Sequence, residues 1–414
     1  MLSTLIPLFD ETKSVTAYSL FTLKDNYLLN PTSIGIAAFD GAGTIDGLEV
    51  LNSIGIETLS DDREVFVEVN NVSIYSDIAG QCRVPNDRVV LLLSTRIKPT
   101  DDIIKRIEVL KSQGFKLAMR KLNVSDFEAY TPILKQLDYV LLNHARIDIS
   151  KARIYFSKLF PNIELCAVNV NSQEDFDKLT EIGGYKYYEG EFFRIPVVKT
   201  DTEIAPLKVN YIELLNVIND IDFDLGDAAD VISRDAALVI SLLKIANRLS
   251  RNSEITSVKH ACAMIGQKEL KKWINTAVTE ALCADRPNEI IRMVMIRAKF
   301  AQELAPLFGS AVDSEELFLM GLFSMLDIML DKPMSEALDM VLVSKDIKET
   351  LLTGNGKYSI VYDFIRAYEN ANWSEVSRLM LLRDISEKQV SSKYIESLQW
   401  YHEMFGLTEN NNQK

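Results

Sequence analysis

Up to residue 196 short apolar or β-branched runs alternate with amphipathic stretches, and beyond about residue 206 that alternation gives way to a helical period. Val65-Phe66-Val67-Glu68-Val69-Asn70 reads as a strand. Arg88-Val89-Val90-Leu91-Leu92-Leu93-Ser94 reads as a strand covered on both faces, because a continuous apolar run leaves no side for water. Pro99-Thr100-Asp101-Asp102 then supplies helix-start chemistry, and Ile103, Ile107 and Leu110 place one apolar stripe along the following helix.

The same strand-then-helix unit recurs. Phe115 to Met119 predicts a strand followed by a helix over 124–136, Asp138 to Leu142 a strand before a helix over 147–158, and Ile163 to Val168 a strand before a helix over 172–182. Gly183-Gly184-Tyr185 ends the last helix, and Tyr187 to Phe193 reads as a closing strand. A parallel β/α architecture follows, either a barrel or a doubly wound sheet.

Val197 to Pro206 is short and polar and reads as a linker. Beyond it Leu207, Tyr211, Leu214, Leu215 and Ile218 share a helical face, as do Leu238, Leu242 and Ile245, and later Phe300, Leu304 and Leu307. No alternating strand pattern intervenes, so the second half is expected to be all-α. The expected divisions are 1–200 for the β/α domain, 201–407 for the helical domain and 408–414 for a frayed polar tail.

Composition narrows the class. With 414 residues the chain is long enough for two cores, and 47% apolar with 25% charged residues is the balance of a folded globular protein. No apolar run approaches the ~18 residues that span a bilayer, and the first residues lack the basic flank of a signal peptide, so a cytoplasmic protein is expected. Cys82, Cys166, Cys262 and Cys283 lie far apart with no paired spacing, which reads as small packed side chains rather than a zinc or redox site. A net charge of −14 argues against capture of nucleic acid or an anionic membrane.

On these units the first half resembles the EAL domain, the barrel that in its active members hydrolyses cyclic di-GMP with two metal ions. The landmarks are Pro7-Leu8-Phe9-Asp10, Val15-Thr16-Ala17-Tyr18, Gly114 to Met119 and Glu189-Gly190-Glu191-Phe192-Phe193-Arg194-Ile195-Pro196. The second half resembles the HDOD domain, a helical relative of the HD phosphohydrolases without their metal site. It shows Ile232-Ser233-Arg234-Asp235, Leu242 to Asn247, Ile255 to Ala261, Arg297-Ala298, Gly321-Leu322-Phe323-Ser324 and Tyr368 to Trp373. The order of the two resembles the YuxH-type family of bacterial signal-transduction proteins and implies a TIM-type barrel followed by a helical HDOD domain.

Two-metal hydrolysis needs several carboxylates converging at strand ends, because hard cations demand oxygen ligands. Carried position by position, the resemblance puts Ser19 at the signature glutamate, Leu92 and Thr95 at the next strand end and Arg120-Lys121 at the paired aspartates. Leu141 and Asn143, then Val168 and Asn171, fall at the following positions, and Glu189 replaces a glutamine. The second-strand asparagine falls on Glu68 or Asn70. In the helical half the implied histidine–aspartate pair falls on Ser324-Met325 and an upstream histidine on Arg297, with Asp327 close by as a helix-surface or hydrogen-bonded acid.

No catalytic residue, metal ligand or cofactor is therefore expected. Arg120 and Lys121 are the candidate ligand-binding residues, as cation surrogates that could draw an anion. His144, His260 and His402 are expected to be packed and satisfied, and Trp273, Trp373, Trp400, Tyr358, Tyr362 and Tyr368 to be core aromatics. Gly41-Ala42-Gly43 reads as a tight turn, lacking the third glycine of a dinucleotide loop. The resemblance implies a non-catalytic regulatory protein, linked to cyclic di-GMP, motility or biofilm control, that binds other signalling proteins and self-associates. The alternatives are a non-hydrolysing nucleotide sensor and, further off, an enzyme.

Overall fold

A computed structural model describes residues 1–23, 43–195, 206–220, 222–249 and 255–409. Most of the Gly41-Ala42-Gly43 turn, the linker residues 197–205 and the tail residues 410–414 lie outside that set. The chain forms two compact units: Met1–Ile195 with Lys299–Ser314 and Ile360–Lys414, and Pro196–Ala298 with Glu315–Ser359.

The first unit is built on eight strands that close into a barrel. They are β1 (Leu2–Phe9), β2 (Val15–Leu23), β3 (Glu64–Glu68), β4 (Val89–Ser94), β5 (Lys116–Arg120), β6 (Tyr139–Asn143), β7 (Glu164–Val168) and β8 (Tyr187–Glu189). β1 runs antiparallel to both β2 and β8, and every other neighbouring pair is parallel. The closed ring settles the choice between barrel and open sheet. The helices between strands are α1 (Asp46–Ile54), α2 (Ile56–Ser60), α3 (Ile78–Gln81), α4 (Asp101–Ser112), α5 (Thr131–Leu134), α6 (Ile149–Leu159) and α7 (Gln173–Ile182).

Local chemistry explains these boundaries. The Thr100 side chain caps α4 by accepting from the Ile103 N–H, and Ile103, Ile107 and Leu110 are its buried stripe, as the sequence pattern requires. All six residues of β4 are buried. The helix expected over 124–136 is shorter: Asn123 and Asp126 box a single 3₁₀ turn, and only Thr131–Leu134, with Pro132 in its first turn, is α-helical. The closing strand also stops at Glu189, with Phe192–Arg194 folding into a 3₁₀ turn.

Side chains from the strands fill the barrel, among them Leu8, Phe66, Val90, Leu92, Leu141 and Cys166. At the starts of the parallel strands Glu64 accepts from the Tyr139 hydroxyl (3.0 Å) and is paired with Lys116. Tyr187 packs beside Tyr139 with ring centroids 5.6 Å apart, and burial pushes its hydroxyl up to about 12. That end of the barrel is plugged, and the opposite end, where the parallel strands terminate, holds the cavity.

The remaining helices are α8 (Pro206–Asn219), α9 (Leu225–Ile232), α10 (Ala236–Leu249), α11 (Val258–Ile265), α12 (Gln267–Leu282), α13 (Asn288–Leu304), α14 (Ser314–Phe323), α15 (Leu326–Leu330), α16 (Met334–Asp339) and α17 (Lys345–Thr353). After them come α18 (Ser359–Glu369), α19 (Trp373–Arg383) and α20 (Glu387–Glu409), so Thr408 and Glu409 are helical rather than frayed. Residues 360–414 group with the barrel, where the sequence pattern placed a single helical domain from 201 to 407. The physical link is Tyr368. Its hydroxyl accepts from the Ser3 N–H of β1 (3.3 Å), and its ring packs against Phe300, Trp373 and Tyr394.

Cys166, Cys262 and Cys283 are buried and Cys82 half-buried, all as free thiols. Trp273, Tyr358 and Tyr368 are buried core aromatics. His260 departs from expectation and lies exposed on α11. Among the described residues no helix is long and apolar enough to cross a membrane.

Candidate functional site

The cavity at the strand ends measures about 830 Å³, within the several-hundred-Å³ range of small-molecule sites. The TIM-type barrel puts its working face there, because the βα turns converge at that end. Arg120, Lys121, Leu141, Asn143, Val168 and Asn171, all singled out from the sequence, line it together with Glu189. Leu92 instead packs inside the barrel, and the Thr95 carbonyl accepts from the Tyr130 hydroxyl (2.6 Å). Neither Glu68 nor Asn70 lines the cavity. The Asn70 side chain is engaged locally, accepting from the Val72 and Ser73 N–H groups at 2.8 Å each.

Three altered positions that are far apart in sequence meet in space. Arg120 Nη2 at the end of β5 donates to Glu189 Oε1 at the end of β8 (2.8 Å), and Ser19 Oγ on β2 donates to Glu189 Oε2 (3.1 Å). The Arg120 guanidinium also lies 5.0 Å over the Phe21 ring. Arg120 and Glu189 are 9% and 8% exposed, so both charges are desolvated and each needs the other. The pairing follows from barrel closure, since side chains from several strand ends converge on one mouth.

A pair of divalent cations, as the EAL resemblance implies, would require converging carboxylates here. Among the described residues three carboxylates line the cavity, and each already faces an arginine: Glu189 pairs with Arg120, while Glu191 and Glu369 lie 3.6 and 4.0 Å from Arg194. The Arg120 guanidinium takes up the Glu189 carboxylate that a cation would need. The described residues of the cavity do not fit the metal pair.

Arg120 and Lys121, adjacent in sequence, have different fates. Lys121 leaves β5 with φ of 64°, a left-handed conformation unusual for a residue with a long side chain. It reaches the cavity wall, as does Arg146, and neither has an ion-pair partner among the described residues. Asn123, Asn143, Asn169 and Asn171 line the same cavity. His144 Nε2 lies 2.6 Å from the Asn169 carbonyl, which holds that turn.

In the helical unit the altered positions also find one another. Arg297 Nη1 on α13 donates to Ser324 Oγ (2.6 Å), and that hydroxyl donates to the Gly321 carbonyl (2.6 Å). All of this is buried, with Arg297 at 5% and Ser324 at 6% exposure. Asp327 is close to this group, and burial pushes its carboxyl up, opposed by N–H donors and by Arg297. Met325 is buried.

The HDOD domain family matches residues 204–347. The chain carries an HDOD domain. Over 96% of its length it is 24% identical to YuxH of Bacillus subtilis, covering 97% of that protein. It is also 24% identical to the cyclic di-GMP phosphodiesterase CdgJ of Vibrio cholerae, over 77% of this chain and 74% of CdgJ. Among solved structures, a standalone EAL protein from Vibrio cholerae O395 in its c-di-GMP-bound form aligns with 46% of the chain and 90% of its own, at 17% identity and a TM-score of 0.35. BlrP1 of Klebsiella pneumoniae in a manganese complex aligns with 46% of the chain and 55% of its own, at 13% identity and a TM-score of 0.37.

Within the HDOD domain Gly321 lets two helices touch. A Cβ there would lie 2.5 Å from Ala298 Cα and 2.9 Å from the Arg297 carbonyl, both backbone atoms that cannot swing aside. Gly321→Ala is expected to destabilise the domain by about 2 kcal/mol, overpacking outweighing the better helix propensity of alanine. Urea unfolding followed by circular dichroism measures it.

Proposed function

We propose that this chain is a non-catalytic regulatory protein of bacterial cyclic di-GMP signalling, working by binding rather than turnover. The observation that supports it best is the Ser19–Glu189–Arg120 network, which fills the strand-end positions where a hydrolase would gather metal ligands. The similarity to CdgJ supports the pathway, and the Arg297–Ser324 pair supports the same reading for the HDOD domain. Its partners are other regulatory proteins of the cytoplasm, engaged through the two units, together with further copies of itself.

The test is direct. Purified chain supplied with magnesium or manganese and cyclic di-GMP is expected to yield no linear dinucleotide above the no-enzyme control, and metal analysis to find well under one ion per chain. Turnover at an ordinary enzymatic rate, on the order of 1–10³ s⁻¹, would overturn the proposal.

A second reading rests on a separate observation. Lys121 and Arg146 line the 830 Å³ cavity without carboxylate partners among the described residues, and asparagine side chains line it with them. That chemistry suits an anionic ligand, a nucleotide included, held without metal.

A further inference from the structure

The cavity at the mouth has an apolar floor beneath a cationic edge. Leu141 in β6 and Val168 in β7 belong to the packed interior of the barrel, 1% and 9% exposed, and also line the cavity. Pro7, Phe21, Leu122 and Phe193 line it with them. Adjacent strands set Asn143, Val168 and Glu189 side by side in register, so an apolar residue stands between an amide and a carboxylate that Arg120 already engages.

The neutral polar groups of the wall are engaged with their own turns. Asn143 Oδ1 accepts from the Ala145 N–H (3.0 Å), Asn171 Oδ1 from the Glu191 N–H (3.3 Å) and Asn169 Oδ1 from Asn171 Nδ2 (3.3 Å). Asn123 Nδ2 donates to Asp126 (3.3 Å). These bonds shape the turns after the strands and leave few groups to read the edges of a base. Lys121 and Arg146 differ. Both are exposed, they follow the adjacent strands β5 and β6, and neither has an ion-pair partner among the described residues.

Charge limits what the mouth can hold. Among the described residues four cations line it, Arg120, Lys121, Arg146 and Arg194, against the three carboxylates Glu189, Glu191 and Glu369, which leaves one positive charge. A monoanion neutralises that charge. A second negative charge would stand uncompensated near three carboxylates, and like charges repel strongly where water is partly excluded. Phosphates would also lose water against Leu141 and Val168 without gaining hydrogen bonds there, whereas an apolar body gains by burial.

We propose that the mouth takes a monoanion with an apolar body, a medium-chain or aryl carboxylate, its head at Lys121 and Arg146 and its body on Leu141 and Val168. This rests on the second reading above, that the mouth takes an anion, and narrows it to exclude multiply charged ligands such as pyrophosphate and cyclic di-GMP.

The experiment uses the full chain and calorimetry, with decanoate, naphthoate, decanol, pyrophosphate and cyclic di-GMP as probes. Decanoate or naphthoate is expected to bind at least about 10-fold more tightly than either polyanion, and decanol at least about 10-fold more weakly than decanoate, the size of one lost hydrogen bond to a charged group. The tighter of the two carboxylates decides between a chain and a ring as the natural body. Paired Lys121→Ala and Arg146→Ala changes are expected to weaken carboxylate binding at least about 10-fold. Val168→Thr keeps the shape, sets a hydroxyl in the floor and is expected to weaken it about 3- to 30-fold. Pyrophosphate or cyclic di-GMP binding as tightly as the carboxylates, and depending on Lys121 and Arg146, would overturn the monoanion and leave the anion site standing. Carboxylate binding that ignores the paired change, or no binding of any probe, would overturn both.

Discussion

Arg120→Ala is expected to cost the barrel about 3–5 kcal/mol, because it strands a desolvated carboxylate rather than merely deleting a contact. Glu189 is 8% exposed and takes its hydrogen bonds from Arg120 and the Ser19 hydroxyl. A single neutral donor cannot replace a guanidinium held at 2.8 Å. Coupled changes separate this from a simple loss of packing. Arg120→Met together with Glu189→Gln removes both charges and keeps the volume, and is expected to recover most of the lost stability, since replacing a whole buried pair is often neutral. Guanidinium unfolding, with hydrogen exchange in β5 and β8 to assign the transition to the barrel, measures the cycle. If the single and double variants were equally unstable, the ion pair would not be what holds the strand ends.

The barrel was legible in the sequence wherever its strands were covered on both faces. β4, β5, β6 and β7 carry continuous apolar runs, α4 follows from the cap and stripe that the structure retains, and α6 and α7 fall within the expected 147–158 and 172–182 to within a residue or two. β1 and β2 were visible only as family landmarks. Their polar residues, Ser3, Thr4 and Ser19, are buried, and β1 contains Pro7, a residue that reads against a strand, so the hydrophobic pattern does not mark them as strands. The short α5 region failed for the opposite reason: an amphipathic pattern was present, but local capping and Pro132 favoured two brief turns.

The site was half legible. Arg120 and Lys121 both line the mouth, but the sequence treats them as one pair of equivalent cations, and of the two only Lys121 has no ion-pair partner among the described residues. What was missed is that Ser19, Arg120 and Glu189 belong together, because 69 residues separate Arg120 from Glu189 and no local spacing links them. The signal available was charge: an arginine gained at one strand end and a glutamate gained at another, in a barrel whose strand ends converge. The same logic joins Arg297 to Ser324. In both units a buried arginine hydrogen-bonds a serine or a serine-bound carboxylate at positions where the resemblance implies metal chemistry. Such substitutions are coupled rather than independent, since each arginine requires an acceptor once buried.

Gly190→Ala is expected to be as damaging as loss of Arg120, about 3 kcal/mol or more, through backbone overlap rather than charge. A Cβ at Gly190 would lie 1.9 Å from the Val170 carbonyl oxygen and 2.5 Å from its carbon, inside any permissible contact. Val170 cannot move away freely, because its N–H donates to the Glu189 carbonyl (3.0 Å) and its own carbonyl accepts from the Phe192 N–H (3.2 Å). Those two bonds stitch the turn after β7 to the end of β8, so relief of the clash must shift Glu189. The Arg120–Glu189 pair therefore weakens together with barrel closure, and the two effects should not add. In a background already carrying Arg120→Met and Glu189→Gln, Gly190→Ala is expected to cost measurably less than in the unaltered chain, by the 0.5 kcal/mol or more (approximately) that marks coupled sites. Equal costs in both backgrounds would mean that the glycine serves only the backbone, and that the network at the mouth is independent of how the last strand closes.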